Sequence, residues 1–323
     1  MAAASGVGDG LVPDHCTYIV SLRTSPSTAR STWVRSWTYP RETIVTRAQE
    51  NMLAHYVVKG RKKVQGWFFR VDAEIFHLLT ACQNAHALDG GVAEIGLHHG
   101  KSFIALCLSL QLGQRAYGID LFDSQHLNFD RSGKGDRSIV EQNLVSAGVD
   151  LSSVILDGRP SDQVSAPDIL KAVGHVRFFS IDGGHWAGIV RNDLRLAEAT
   201  LGECGVIALD DFLRAEWPDV STGYFEWLRE RSRPIVPLAI GCNKLYLCEE
   251  RYRALYRKVL DDSSFLKVFL STHYDFGGND IPVYQKFAWP EGWNLRTRVE
   301  EYIKLYHPDL YVRFRADRSS RRR

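Results

Sequence analysis

The chain has 323 residues, of which 45% are hydrophobic and 24% charged, and 40 Lys and Arg against 38 Asp and Glu leave a net charge of +2. This composition is typical of a globular protein and excludes a chain that is disordered throughout. The near balance of charge gives no indication of a nucleic-acid-binding protein. The length predicts about two domains, or one large domain with additions.

The cysteines and the apolar runs indicate where such a chain resides. Six cysteines, at 16, 82, 107, 204, 242 and 248, include no CxxC pair, so we expect reduced and mostly buried thiols. No apolar run approaches the roughly 18 residues that a membrane-spanning helix needs. Residues 1–14 lack the basic and then apolar pattern of a secretory signal. We therefore expect a cytoplasmic protein with no membrane partner.

The first 90 residues divide into two predicted segments. Residues 1–30 are rich in Gly, Ser, Thr and Ala, which predicts a flexible N-terminus. Residues 31–90 are predicted to form a helical N-terminal extension or lid, with amphipathic helices over 42–59 and 71–82. Gln65-Gly66-Trp67, just before the second helix, is a candidate part of that lid.

From Gly91 short apolar runs alternate with amphipathic stretches of helical length. The continuously apolar character of the runs predicts a parallel sheet that is covered by helices on both faces. The predicted strands are 92–96, 116–120, 154–157, 176–182 and 205–211, and the predicted helices between them are 101–112, 136–147, 163–173 and 187–201.

The end of this region predicts a change of strand direction. After a helix near 219–232, the apolar runs 235–240 and 244–250 are joined only by residues 241–243. A connection that short requires an antiparallel hairpin. We therefore predict an α/β fold: a Rossmann-like domain over 91–250, with parallel strands and a terminal antiparallel hairpin, and helical additions at both ends.

Residues 251–323 are predicted to be a C-terminal helical extension with an Arg-rich tail. The pattern predicts a helix over 251–272, an irregular segment over 275–290 and another helix near 294–306. Six arginines fall within residues 313–323, and a short basic terminus of this kind is usually solvated.

Acidic residues mark the carboxyl ends of the predicted strands, where open α/β sheets bind ligands. Asp120, Asp182 and the pair Asp210-Asp211 each close a strand, and Glu94 lies within the first one. This edge of the sheet is the predicted site.

A glycine loop follows the first strand, in the pattern Glu94-x-Gly96-x-x-x-Gly100. The loop is not the GxGxxG turn that seats a dinucleotide pyrophosphate. It suits a cofactor that has no pyrophosphate, with Asp120 placed where a carboxylate would accept a ribose diol. The alternative is an ordinary strand-to-helix turn with a capping acid.

With these residues, the stretch 91–250 resembles a class I S-adenosylmethionine-dependent methyltransferase. The resemblance implies S-adenosylmethionine as cofactor, with Asp157 and Ser161 beside the adenine. The cofactor-binding residues that it implies are Glu94, Gly96, Gly100, Ser102, Asp120, Asp157, Ser161 and Asp182.

The second half of the domain, through residues 179–185, Asp193-Leu194 and 205–212, resembles the metal-dependent sugar O-methyltransferases of the macrocin and mycinamicin type. The resemblance implies Mg²⁺ (or Mn²⁺) held by Asp182, Asp210 and Asp211. Converging carboxylates repel one another unless a cation lies between them, and hard oxygen ligands favour such metals. The alternative is that Asp211 caps the next helix and Asp210 is solvated.

His185 is the predicted general base, because methyl transfer to oxygen requires that a hydroxyl lose its proton. Enzymes of the mycinamicin type have a histidine at this spacing, whereas the macrocin branch has an acid where this chain has Gly184. The roles of His98 and His99 stay open: cofactor contact, substrate mouth or subunit interface. Asp193, inside a helix, is predicted to be structural.

The sequence thus predicts an S-adenosylmethionine- and Mg²⁺-dependent O-methyltransferase that acts on a small-molecule hydroxyl, foremost on a sugar of a glycosylated secondary metabolite. We expect the metal to chelate two vicinal hydroxyls of the acceptor and thereby to lower their pKa. We expect a homo-oligomer. Four alternatives stay open: a catechol or phenol O-methyltransferase, a cephamycin-type hydroxylation or methoxylation enzyme, an RNA methyltransferase, and a cofactor-binding scaffold protein. The net charge of +2 and the lack of a recognised RNA-binding module speak against RNA.

Overall fold

A computed structural model describes residues 47–129, 131–285 and 299 of the chain. The predicted flexible N-terminus, Cys16, the Arg-rich tail and, apart from Val299, the helix near 294–306 lie outside the described residues.

Helices and strands alternate through most of this region. In chain order the helices are α1 (Arg47–Val58), α2 (Arg70–Ala85), α3 (Phe103–Leu108), α4 (Arg137–Ser146), α5 (Ala166–Val173), α6 (Ala187–Thr200), α7 (Pro218–Glu230), α8 (Glu250–Asp262) and α9 (Ser264–Phe269). The strands are β1 (Gly91–Ile95), β2 (Ala116–Ile119), β3 (Val154–Asp157), β4 (Val176–Ile181), β5 (Leu201–Leu209), β6 (Ile235–Ile240), β7 (Leu245–Glu249), β8 (Leu270–Phe276) and β9 (Asn279–Tyr284).

The strands form one sheet in the order β3-β2-β1-β4-β5-β7-β6-β9-β8. Strands β1 to β5 pair in parallel, and β7 pairs antiparallel with both β5 and β6. The parallel sheet closed by an antiparallel hairpin is confirmed. The chain order reverses between β1 and β4, the place where ligands bind in open α/β sheets.

The C-terminal addition differs from its prediction as a helix followed by an irregular segment. The predicted helix over 251–272 is broken at Ser263 and ends at Phe269, and residues 270–284 form the hairpin β8–β9. Gly277 and Gly278 have φ of +62° and +78°, which a two-residue hairpin turn requires and which glycine adopts at little cost. The hairpin joins the sheet at β6, where Ile240 pairs with Val283.

Two hydrophobic cores lie on opposite faces of the sheet because neighbouring strand residues point to opposite sides. In β4, Phe178 joins the core formed with α1, α2, α3, α8 and α9, whereas Phe179 joins the core formed with α5, α6 and α7. Tyr246 and Leu247 divide in the same way in β7. The sheet is therefore anchored on both sides, and its carboxyl edge is held in place.

The sequence expectations for thiols agree with the structure where they are tested. Of the described cysteines, none forms a disulfide, and Cys82, Cys107, Cys204 and Cys248 are buried. Among the described residues, no helix has the length and apolar character to span a membrane.

Candidate active site

A cavity of about 740 Å³ opens at the carboxyl ends of the parallel strands. This volume lies in the range of small-molecule and cofactor sites. Eight of the predicted site residues line it: Gly96, Ser102, Asp120, Ser161, Asp182, His185, Asp210 and Asp211. Glu94, Gly100 and Asp157, predicted to bind the cofactor, are not among the residues that line it.

The glycine loop begins where β1 and β4 meet. Gly96 has a φ of +82°, and a Cβ built on it would lie 1.8 Å from the carbonyl oxygen of Asp182. The Asp182 amide in turn donates to the Ile95 carbonyl at 2.8 Å. Any larger side chain at 96 would push these strand ends apart. The glycine therefore allows the glycine loop to pack against the loop that carries His185.

Glu94 lies beneath this loop rather than in the cavity. Its side chain is fully buried, and Oε1 accepts a hydrogen bond from Ser180 Oγ at 3.0 Å. Burial raises the pKa of Glu94 to about 7, against hydrogen bonds that lower it. The acid supports the loop from behind, and its predicted contact with the cofactor stays a prediction.

Asp120 holds the glycine loop through its backbone. Oδ2 accepts hydrogen bonds from the amides of Leu97 and His98, both at 2.8 Å, and Oδ1 accepts one from the amide of Phe122 at 3.0 Å. A carboxylate has about four lone-pair directions, so acceptor capacity remains on the side that lines the cavity. Contact with a ribose diol stays a prediction.

Asp157 is turned to other partners. Tyr117 donates its hydroxyl to Asp157 Oδ2 at 2.6 Å, and Arg159 pairs with the same oxygen at 2.7 Å. Its predicted position beside the adenine stays a prediction. Ser161 and Asp162 from the following segment line the cavity instead.

The Gln65-Gly66-Trp67 segment also reaches the cavity. Lys101 Nζ donates to the Gly66 carbonyl at 2.8 Å, which fastens the segment to the glycine loop. His98 lines the cavity and stacks on His99 at a centroid distance of 4.0 Å. Burial lowers the pKa of His98, which favours its neutral form there.

His185 is held in the cavity by a carboxylate and an aromatic ring. Its Nε2 lies 3.1 Å from Asp211 Oδ2, and its ring stacks on Trp217 with centroids 4.1 Å apart and planes at 13°. Burial raises the pKa of Asp211, but the hydrogen bonds from His185 and Asn243 outweigh this effect and hold the pKa below its usual range. An anionic Asp211 beside an oriented imidazole is the arrangement of a general base and its partner.

The three acids predicted to bind metal lie at neighbouring strand ends, because β4 and β5 pair and the Asp210 amide donates to the Ile181 carbonyl at 2.8 Å. A side chain that sequence reasoning missed lies among them. Lys244, only 1% exposed, places Nζ 2.9 Å from Asp210 Oδ2 and 3.6 Å from Asp182 Oδ2.

This lysine changes the fit of the predicted Mg²⁺ site. Asp210 has an ammonium partner, and Asp211 Oδ1 is held by Arg214 Nη1 at 3.0 Å. The set that does converge, Asp182, His185 and Asp211, offers ligand atoms within 4.8 Å of one another, but one is an imidazole and both acids already face cations. Mg²⁺ prefers an octahedron of oxygens. The predicted three-acid set therefore does not fit Mg²⁺.

The family of this domain follows from its sequence together with this fold. Residues 93–212, from β1 to the acids after β5, match the model of a family described as a methyltransferase domain. This stretch is a methyltransferase domain. The recognition from the glycine loop and the strand-end acids is confirmed for these residues.

Several solved structures resemble the chain around this methyltransferase domain. The O-methyltransferase NovP shares 11% identity at a TM-score of 0.47, over 62% of this chain and 98% of that one. CalS11, a TDP-rhamnose 3'-O-methyltransferase of calicheamicin biosynthesis, shares 15% identity at a TM-score of 0.42, over 67% and 97%. TomG from Streptomyces achromogenes, involved in tomaymycin synthesis, shares 16% at a TM-score of 0.40, over 62% and 87%. At these scores the likenesses carry no argument about the substrate. No curated protein matches the chain.

Proposed function

We propose that this chain transfers the methyl group of S-adenosylmethionine to a hydroxyl oxygen of a small molecule, with His185 as general base. The observation that carries the proposal is the His185–Asp211 pair, Nε2 to Oδ2 3.1 Å, in the cavity that the glycine loop also lines. Donor loop and base share one cavity, as a direct transfer between two bound molecules requires.

The proposed reaction is an in-line displacement at the methyl carbon. The acceptor oxygen forms the new carbon–oxygen bond while the sulfur–methyl bond breaks and its electron pair returns to sulfur. The hydroxyl proton goes to His185. An ionised Asp211 only accepts hydrogen bonds, so it fixes the tautomer in which Nε2 is protonated and Nδ1 takes the proton. Asp211 then stabilises the imidazolium that forms.

Aromatic faces at the cavity favour a flat or ring-shaped acceptor. Trp67 and Trp186 line it with 69% and 50% of their surfaces exposed, and Trp217 lies against the proposed base. Rings of sugars and phenols both stack on such faces. We propose a sugar hydroxyl of a glycosylated metabolite, as the resemblance of residues 179–185 and 205–212 to sugar O-methyltransferases implies. The cations beside these acids bear equally on the sugar and the catechol, because both are predicted to present vicinal hydroxyls to a metal.

A scaffold protein has no use for an aligned histidine and carboxylate in its cavity, which disfavours that alternative. The cytoplasmic location and the homo-oligomer stay predictions, and so does cofactor contact by individual residues.

The test is methyl transfer from S-adenosylmethionine to a panel of glycosylated and phenolic acceptors, with donor binding measured separately by calorimetry. His185→Ala should lower kcat by about 10²- to 10⁴-fold, the usual contribution of a general base, while donor affinity stays within a few-fold. His175→Ala is the matched control, since His175 is exposed and precedes β4 at the opposite edge of the sheet. Absence of donor binding, or full turnover by His185→Ala, would refute the proposal.

A further inference from the structure

Lys244 reaches the acidic edge because of the strand directions. It directly precedes β7, which runs antiparallel to β5 and pairs Leu245 with Leu209. The start of β7 therefore lies beside the end of β5, which Asp210 directly follows. The lysine enters the cluster from the sheet itself rather than from a mobile surface loop.

The surroundings of Lys244 are acidic on several sides. Asp210 Oδ2 and Asp182 Oδ2 lie 2.9 Å and 3.6 Å from Nζ, at the ends of β5 and β4. Asp72 of α2, also fully buried, lies on the same face of the sheet as Tyr246, whose hydroxyl donates to Asp72 Oδ1 at 2.9 Å, and burial raises the pKa of this acid to about 7. Burial lowers the pKa of Lys244, but the charges of Asp210 and Asp182 outweigh this effect and raise the pKa above its ordinary value.

Two carboxylates at adjoining strand ends, one of them buried, need a cation or a shared proton between them. The lysine supplies that cation at the place where a divalent ion would otherwise bridge Asp182 and Asp210. A metal entering there would have to displace an ammonium that is only 1% exposed.

We infer that Lys244 is the resident cation of this site, that it takes the place of a divalent metal between Asp182 and Asp210, and that methyl transfer here proceeds without one. The inference rests on the proposed function for its last clause only. Lys244 is then a positioning residue: it holds the two strand ends from which the Asp182 carbonyl approaches Gly96 and the loop to His185 departs.

Divalent-ion binding tests the first two clauses without any turnover. Calorimetric titration of the full chain with MgCl₂ and MnCl₂ should show no saturable binding in the millimolar range. Lys244→Met keeps all but one atom of the length of the side chain and removes its charge, so it should gain Mn²⁺ binding, and Lys244→Met/Asp210→Asn should lose that gain. Lys171→Met, in exposed α5, is the control that should gain nothing.

Saturable Mg²⁺ binding by the wild type that Asp182→Asn abolishes would overturn the inference, as would a folded Lys244→Met that gains no Mn²⁺ binding. Should Lys244→Met not fold, the wild type decides: kcat after EDTA treatment should stay within twofold, and a loss of tenfold or more that Mg²⁺ restores would overturn the inference. Failure of the proposed function would appear separately, as absent S-adenosylmethionine binding.

Discussion

At the scale of single residues, the site depends on close backbone approach as much as on charged groups. Gly96 is the clearest case, since a Cβ there would lie 1.8 Å from the Asp182 carbonyl oxygen and φ is +82°. The motif Glu94-x-Gly96 pointed to a loop, and the structure gives the reason for the glycine: the fourth strand occupies the space of its side chain.

Gly96→Ala should therefore destabilise the protein well beyond the roughly 1 kcal/mol that a positive φ alone costs an alanine. Backbone atoms must move to relieve the clash, which places the variant among the costly class of about 3 kcal/mol or more. Gly113→Ala is the matched control, because φ there is +84° with nothing within 4 Å of the added Cβ. Urea unfolding measures both, and equal losses would contradict the argument.

The site residues divide into those that sequence can place and those that it cannot. Asp182, Asp210 and Asp211 could be placed because strand ends of a parallel sheet share an edge. The predicted hairpin carries part of the signal for Lys244, because an antiparallel partner of the fifth strand must begin at this edge of the sheet. Which of the two hairpin strands is that partner depends on the order of strands in the sheet, which the sequence does not state. The hydrogen bonds of Asp157 with Tyr117 and Arg159 have no signal in a linear pattern.

At the scale of elements, one carboxylate joins a helix to the segment that leads into β6. Glu198 of α6 accepts hydrogen bonds from Trp227 Nε1 at 2.8 Å and from the amides of Ser232 and Arg233 at 2.8 and 2.9 Å. These donors hold the pKa of Glu198 below its usual value although burial opposes them. The link fixes α7 and β6 against the helix that follows the His185 loop.

Glu198→Gln should lower the free energy of unfolding by about 2–4 kcal/mol at pH 7, since an amide nitrogen would face a donor that the carboxylate satisfied. The stabilisation by an acid of lowered pKa is present above the unfolded pKa and is lost as pH falls through the folded one. The difference in the free energy of unfolding between wild type and Glu198→Gln should therefore decrease below about pH 4.5, which is the ordinary pKa of Glu.

Unfolding curves from pH 3 to pH 8 measure this gap. Glu203→Gln serves as control, because its side chain is 74% exposed and its ion pair with Arg251 should contribute at most about 1 kcal/mol. A gap for Glu198→Gln that does not change with pH would contradict the role of the charged form. The elements themselves are predictable from β1 to β7. Beyond them the sequence predicts a helix to 272 and an irregular segment over 275–290, whereas residues 270–284 form a hairpin with its turn at Gly277-Gly278.

At the scale of the whole molecule, the predicted division at 91 and 250 does not coincide with a boundary in the packing. The core on one face of the sheet combines Phe178 and Tyr246 of the central strands with Phe76 of α2 and Tyr256 of α8. The additions therefore complete the methyltransferase sheet. Sequence periodicity showed an amphipathic helix before 91, but no pattern in one chain states which surface an amphipathic face covers.

A fragment comprising residues 91–250 should consequently fail to fold cooperatively, because the removal of α1, α2 and most of α8 uncovers one face of the sheet. Burial of each large side chain on that face contributes about 1.5–3 kcal/mol, so the loss of several exceeds the stability of an ordinary domain. A fragment of residues 47–285 keeps both cores and should unfold in one transition. Thermal unfolding followed by circular dichroism, with binding of an apolar dye at 25 °C, distinguishes the two. Cooperative unfolding of the 91–250 fragment without dye binding would show that the face is stable uncovered, and the predicted domain boundaries would then describe an independent unit.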